Sequence, residues 1–146
     1  MEIETKYFGS LPFSSDEEIK FEKGIFGFQQ DKRFVLIRFD NESGNILCLQ
    51  SLDDVDLAFT VMNPFAFIPD YTPTLTEEEL RYLDAADEKE LNFYNICVIA
   101  PEIKNSTVNL RCPVAVNPEN KKAIQVILEN NRYEFKYPFY KFLKEG

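Results

Sequence analysis

The side chains in this sequence best suited to chemistry are carboxylates. Asp53, Asp54 and Asp56 lie close enough together to share a divalent cation in principle. Their spacing lacks the glycine and the closing glutamate of a calcium loop, so a polar turn or a partner contact is the simpler expectation. The three cysteines, Cys48, Cys97 and Cys112, are odd in number and widely spaced, and there is no histidine. Those two facts argue against a zinc site, a disulfide framework, and Ser-His-Asp or Cys-His nucleophile pairs. Each cysteine stands in an apolar run such as Asn95-Ile96-Cys97-Val98-Ile99, which predicts a small buried hydrophobe in a reducing compartment. Gly24-Ile25-Phe26-Gly27 lacks the Lys-Ser/Thr and the helix of a phosphate loop. No catalytic residue, metal site or cofactor is expected, and binding is favoured over catalysis.

Charge narrows the partner class. Sixteen Lys and Arg against 25 Asp and Glu give a formal charge of −9. A nucleic-acid or anionic-membrane surface needs clustered bases to replace counterions, so neither is expected. Residues 70–90 hold eight acids against Arg81 and Lys89. Such a run is either a solvated helix face or an acidic surface that speeds encounter with a basic partner. Aromatics near prolines, among them Phe65, Phe67 and Tyr71, serve as loop anchors or as part of an interaction patch. No stretch approaches the ~18 apolar residues of a membrane span. The charged start, Met1-Glu2-Ile3-Glu4-Thr5-Lys6, has no apolar core of a signal peptide, so a cytoplasmic protein is expected.

These residues must be carried mostly by short strands. Strand patterns cover Ile3–Phe8, Glu18–Phe21, Arg33–Phe39, Ile46–Gln50, Leu57–Met62, Phe93–Ala100, Thr107–Cys112 with Val114–Val116, Ala123–Leu128 and Tyr133–Tyr137. Gly9–Ser15 reads as a break, Gly24–Phe28 as a tight loop, Asp40–Asn45 as a hairpin loop, and Asn63-Pro64 as a strand stop. Pro113 marks an edge or a bulge. One helix is expected after Thr76, where Thr76-Glu77-Glu78-Glu79 matches a capping box between Leu75 and Leu80. Leu80, Leu83 and Ala86 would give it a buried face. The tail from Phe139 suits a strand or a short helix. The fold class is mainly β, a small antiparallel β-barrel-like domain with one short helix, formed as a single domain over residues 1–146.

Several strings, in order over roughly residues 21–138, carry a family resemblance. Gln50-Ser51-Leu52-Asp53-Asp54, leading into Leu57-Ala58-Phe59-Thr60-Val61-Met62-Asn63-Pro64-Phe65, resembles the signature of the FliW family of flagellar assembly factors. Gly24-Ile25-Phe26-Gly27-Phe28 is similar to that family's Gly-Leu-Pro-Gly-Phe loop, with Phe26 in place of the proline. Pro69-Asp70-Tyr71, Asn109-Leu110 with Pro113, Asn117, and Gln125-Val126-Ile127-Leu128 with Tyr133 resemble its later segments. Arg111-Cys112 before Pro113 and Ala123-Ile124 before Gln125 depart from it. The resemblance implies a non-enzymatic cytoplasmic protein that binds CsrA, a dimeric mRNA-binding repressor, and antagonises it without occupying its RNA site. It also implies alternate binding of newly made flagellin, so that the two partners exchange the factor. A flagellin-specific chaperone with no CsrA role is the alternative, and an aspartate-based metal hydrolase is a more distant one.

The residues expected at a partner surface are Gln50, Ser51, Asp53 and Asp54 in one turn, Asn63, Phe65, Asp70 and Tyr71 in the next segment, and Glu77 and Glu78 on the helix. Polar loop residues beside aromatics suit recognition. Equally, Gln50, Asp53 and Asn63 could do no more than satisfy backbone groups in turns.

Overall fold

The computed structural model describes residues 1–39, 44–129 and 132–143. Among them eleven strands form: β1 Glu2–Thr5, β2 Gly9–Pro12, β3 Ile19–Lys20, β4 Arg33–Arg38, β5 Ile46–Ser51, β6 Ala58–Met62, β7 Asn92–Val98, β8 Thr107–Val108, β9 Val114–Val116, β10 Ala123–Gln125 and β11 Tyr137–Pro138. Three short helices join them: α1 Pro64–Phe67, α2 Glu77–Tyr82 and α3 Tyr140–Leu143. The fold is mainly β, as expected. The main sheet runs β10-β9-β7-β6-β5-β4-β3, with β8 on β7 and β11 on β8, and every strand pair is antiparallel. Its ends meet at one parallel bridge, Lys20 with Lys122. The sheet therefore curls to a barrel-like shape without a continuous ladder at the seam.

Each face of the curled sheet is buried. Phe34, Leu49, Val61, Val114 and Val116 pack in one cluster, while Met62, Phe93, Cys97, Ala115 and Ile124 pack in another with Tyr71, Leu75 and Leu83. Side chains alternate across a strand, so β7 sends Phe93 and Cys97 one way and Tyr94 and Ile96 the other. β9 and β10 are buried on both sides, which explains the unbroken apolar run of β9; in β10 the buried Gln125 amide donates to the Cys112 carbonyl.

The structure alters four expectations. Gly9–Pro12 is a strand, because Gly9 turns at φ +68° and the Thr5 hydroxyl donates to its carbonyl while accepting from the Phe8 N–H. Thr107–Cys112 holds strand geometry only at Thr107–Val108. Tyr133–Lys136 is not strand; the Glu134 carbonyl accepts from both the Leu110 and Arg111 N–H groups, which bends the chain there. Helix α2 closes at Tyr82, since Asp84 takes φ +57° and the Asp84 and Ala85 N–H groups fold back onto Arg81 and Leu80. Ala86 is consequently exposed, while Leu83 is fully buried and Leu80 half-buried. The capping box forms in full, with Glu79 N–H to Thr76 Oγ1 at 3.1 Å and Thr76 N–H to Glu79 Oε1 at 2.8 Å. Residues 40–43 of the Asp40–Asn45 hairpin loop lie outside the described residues.

Candidate partner-binding surface

The turn after β5 is built from the inside out. Gln50 is fully buried at its base. Its Oε1 accepts from the Lys6 N–H at 3.0 Å, and its amide donates to the carbonyls of Ser51 at 3.0 Å and Val55 at 3.2 Å. Ser51, also buried, accepts at Oγ from the N–H groups of Asp53 and Asp54 at 3.1 and 3.0 Å. These two residues hold the loop and do not reach its surface, which corrects their placement among exposed contacts. Asp53 and Asp54 are exposed. Asp53 Oδ1 takes Nη2 and Nε of Arg33 at 2.8 and 3.1 Å, so its carboxylate is not a turn cap. That contact is the leading cause raising the Arg33 pKa. Asp54 Oδ1 accepts from the Asp56 N–H at 3.0 Å. No group of three His, Cys, Asp or Glu able to hold a metal occurs among the described residues.

The next segment begins at the opposite end of β6. Asn63 caps α1 by accepting from the Phe65 N–H at 3.1 Å, and Pro64 supplies the first helical position. Phe65 and Asp70 are exposed. Tyr71 is buried: its hydroxyl donates to the Leu110 carbonyl at 2.6 Å, and its ring lies 4.7 Å from that of Tyr133. Burial pushes the Tyr71 hydroxyl well above the usual phenol range. Tyr71 thus anchors the segment from within, a second correction. Because β6 pairs Ala58 with Gln50 and Met62 with Ile46, the two expected contact segments stand apart by the strand's length, about 17 Å at ~3.3 Å per residue. Glu77 and Glu78 are exposed on the first turn of α2.

Sequence reading missed the apolar grooves. Phe26 and Phe28, turned outward by the Gly24–Phe28 loop, are exposed together with Val98 and Phe135. They line a groove of about 340 Å³ floored by Phe59 and Ile96. Tyr7, Phe39 and Ile99 rim a second groove of about 610 Å³. The glycine spacing did signal a loop; nothing in it signalled which way the rings point. The cysteines are buried, and burial pushes the Cys48 thiol to about 11 and the Cys97 thiol to about 12, so both are neutral and unreactive near neutral pH. No helix among the described residues is long and apolar enough to cross a membrane.

Fold and surface together define a curled antiparallel β protein presenting acidic turns and apolar grooves. The FliW protein family model matches residues 2–139. The flagellar assembly factor FliW of Caldanaerobacter subterraneus is 38% identical over 146 residues, covering 100% of this chain and 97% of its own. That of Thermoanaerobacter pseudethanolicus is 39% identical with the same coverage. A crystal structure of a flagellar assembly factor FliW superposes with a TM-score of 0.86 at 31% identity, covering 94% of this chain and 96% of that one. The chain belongs to the FliW family of flagellar assembly factors.

Proposed function

We propose that this protein works by binding and not by catalysis: in the cytoplasm it binds the repressor CsrA, antagonises its hold on mRNA, and exchanges it for flagellin. Family membership supports the reading, and the observation that carries it furthest is the exposed carboxylate set on α2 and the β5–β6 turn. Asp53 and Asp54 are exposed at one end of β6, and Asp70 beyond its other end and Glu77 and Glu78 on α2 are exposed as well. Placed beside an RNA site, a carboxylate ~10 Å from a phosphate repels it by ~0.4 kcal/mol in water, or ~0.15 after screening at 0.1 M salt. Each such carboxylate weakens RNA binding about 1.3- to twofold without entering the site. Asn63 and Phe65 complete the contact surface, with Gln50, Ser51 and Tyr71 holding its loops from below.

A flagellin-only chaperone is the second reading, and the apolar grooves are the observation that favours it. Titration calorimetry into CsrA, repeated with flagellin already bound and at two salt concentrations, separates the two. Salt-weakened binding abolished by flagellin is expected. Heat with flagellin but none with CsrA would leave the chaperone. Reversing Glu77, Glu78 and Asp70 to Lys is expected to weaken CsrA binding at low salt and to spare RNA on CsrA; unchanged binding and unchanged RNA release would sink the electrostatic mechanism.

A further inference from the structure

One edge of the main sheet lies open, and a groove of about 320 Å³ runs beside it. Beyond β10 the chain stays extended: the Val126 N–H donates to Pro113 and the Leu128 N–H to Arg111, two residues apart on both sides, as in an antiparallel ladder. Backbone groups alternate in direction along such a strand, so those of Ile127 point away from the sheet. Among the described residues neither its N–H nor its C=O has a partner, and the residue is 58% exposed. β3 covers this edge only at Lys122. Across the groove, burial alternates from Tyr71 to Thr76, leaving Thr72, Thr74 and Thr76 exposed. The Thr74 backbone is likewise unpartnered among the described residues. Two extended walls, each holding a residue whose backbone has no partner among the described residues, thus line one slot.

We infer that this slot takes an extended basic peptide segment of a partner protein, which adds a strand along Ile127–Glu129 opposite Thr72–Thr76. An open strand edge is a template for main-chain pairing. Charge selects the occupant. Glu79 and Glu129 line the slot, and Glu77 and Glu78 are exposed on the adjoining helix turn. Arg111, on the Leu128 carbonyl, and Arg132, on the Tyr133 hydroxyl, are fewer than these acids and leave the surround net acidic. The threonines and Ile127 suit alternate small or β-branched side chains on the incoming strand. The inference goes beyond the proposed exchange of CsrA and flagellin, and its test uses neither.

The test adds a fluorescent peptide alternating Lys and Val to the isotope-labelled full chain. The amide resonances of Thr74, Ile127 and Glu129 are expected to shift and their solvent exchange to slow. Methylating the peptide's backbone nitrogens on one edge should weaken binding about fivefold or more, since it removes hydrogen bonds and keeps the charge. A Glu-Val peptide should not bind, and Glu129→Lys should weaken the Lys-Val peptide about threefold at low salt. Equal binding of the methylated peptide, or shifts confined to other residues, would overturn strand addition. The same shifts appearing with protein concentration alone would overturn the basic peptide in favour of a second copy of the chain.

Discussion

Replacing Gln50 by Ala tests whether the β5–β6 turn is held from inside. The side chain is fully buried, and its amide has two hydrogens for the carbonyls around it, of which Ser51 at 3.0 Å and Val55 at 3.2 Å are the nearest. Its Oε1 takes the Lys6 N–H at 3.0 Å and so ties β1 to the sheet. Three bonds at ~0.5–1.5 kcal/mol each, plus a buried Ser51 carbonyl left without this donor, give a loss of about 2–4 kcal/mol. That corresponds to roughly 5–15 °C in melting temperature for a chain of this size. Urea unfolding followed by circular dichroism reads it as a lower midpoint at unchanged slope. Asp53→Ala removes only the exposed pair with Arg33 and should cost less than about 1 kcal/mol. The reasoning fails if Gln50→Ala falls within ~0.5 kcal/mol of the wild type, the usual range of surface changes, or if Asp53→Ala costs as much.

Two further outcomes follow from the backbone and the thiols. Gly24 sits at φ +69°, and a Cβ there would lie 2.5 Å from the Gln29 Cα. Gly24→Ala should therefore cost at least ~2 kcal/mol by urea unfolding, whereas Gly9→Ala, at φ +68° with open space around it, should cost only the ~1–2 kcal/mol of a left-handed L-residue; equal losses would refute the clash. Burial raises the Cys97 thiol from 9.0 to about 12, so the unfolded chain releases this proton first as pH rises. Its contribution to stability is whole below pH 9 and is lost between there and about 12, and Cys97→Ala should flatten that alkaline decline in unfolding midpoints measured across the range.

What could be read in advance was whatever local chemistry decides. The capping box is written into Thr76 and Glu79, and no other part of the fold competes for those side chains. The strand stop at Asn63-Pro64 is likewise local, because proline lacks the donor a ladder needs. The errors arose where distant residues decide. Tyr133–Tyr137 alternates like a strand, yet Tyr133 packs on Tyr71 and its hydroxyl accepts from the Thr72 N–H at 2.8 Å, 61 residues away. Phe135, which alternation would bury, is left outside. The end of α2 was hidden for a similar reason. Asn117 and Asn120 reach from a distant turn to donate to the Leu83 carbonyl, and Lys122 pairs with Asp84 at 3.0 Å. Burial of Gln50 was equally hidden, since a polar residue at a strand end reads the same whether it faces a partner or its own backbone.

That ambiguity resolves into two physical kinds of polar residue with opposite tolerance to change. Asn95, Asn117 and Gln125 are buried and donate their amides to main-chain carbonyls of other segments, and the buried Gln50 donates to those of its own turn. Each removes a desolvation penalty the fold would otherwise carry, so each substitution is felt throughout the sheet. Asp53, Asp54, Glu77 and Glu78 are exposed, on turns and a helix start whose caps are supplied mainly by Ser51 and Thr76. Apart from the Asp53 pair with Arg33 and the Asp54 bond to the Asp56 N–H, their charge is thus nearly independent of the scaffold beneath it. A surface of that second kind can be reversed in sign with little loss of stability, so a change in partner affinity on reversal reports the contact itself. The same experiment on the buried amides would report unfolding.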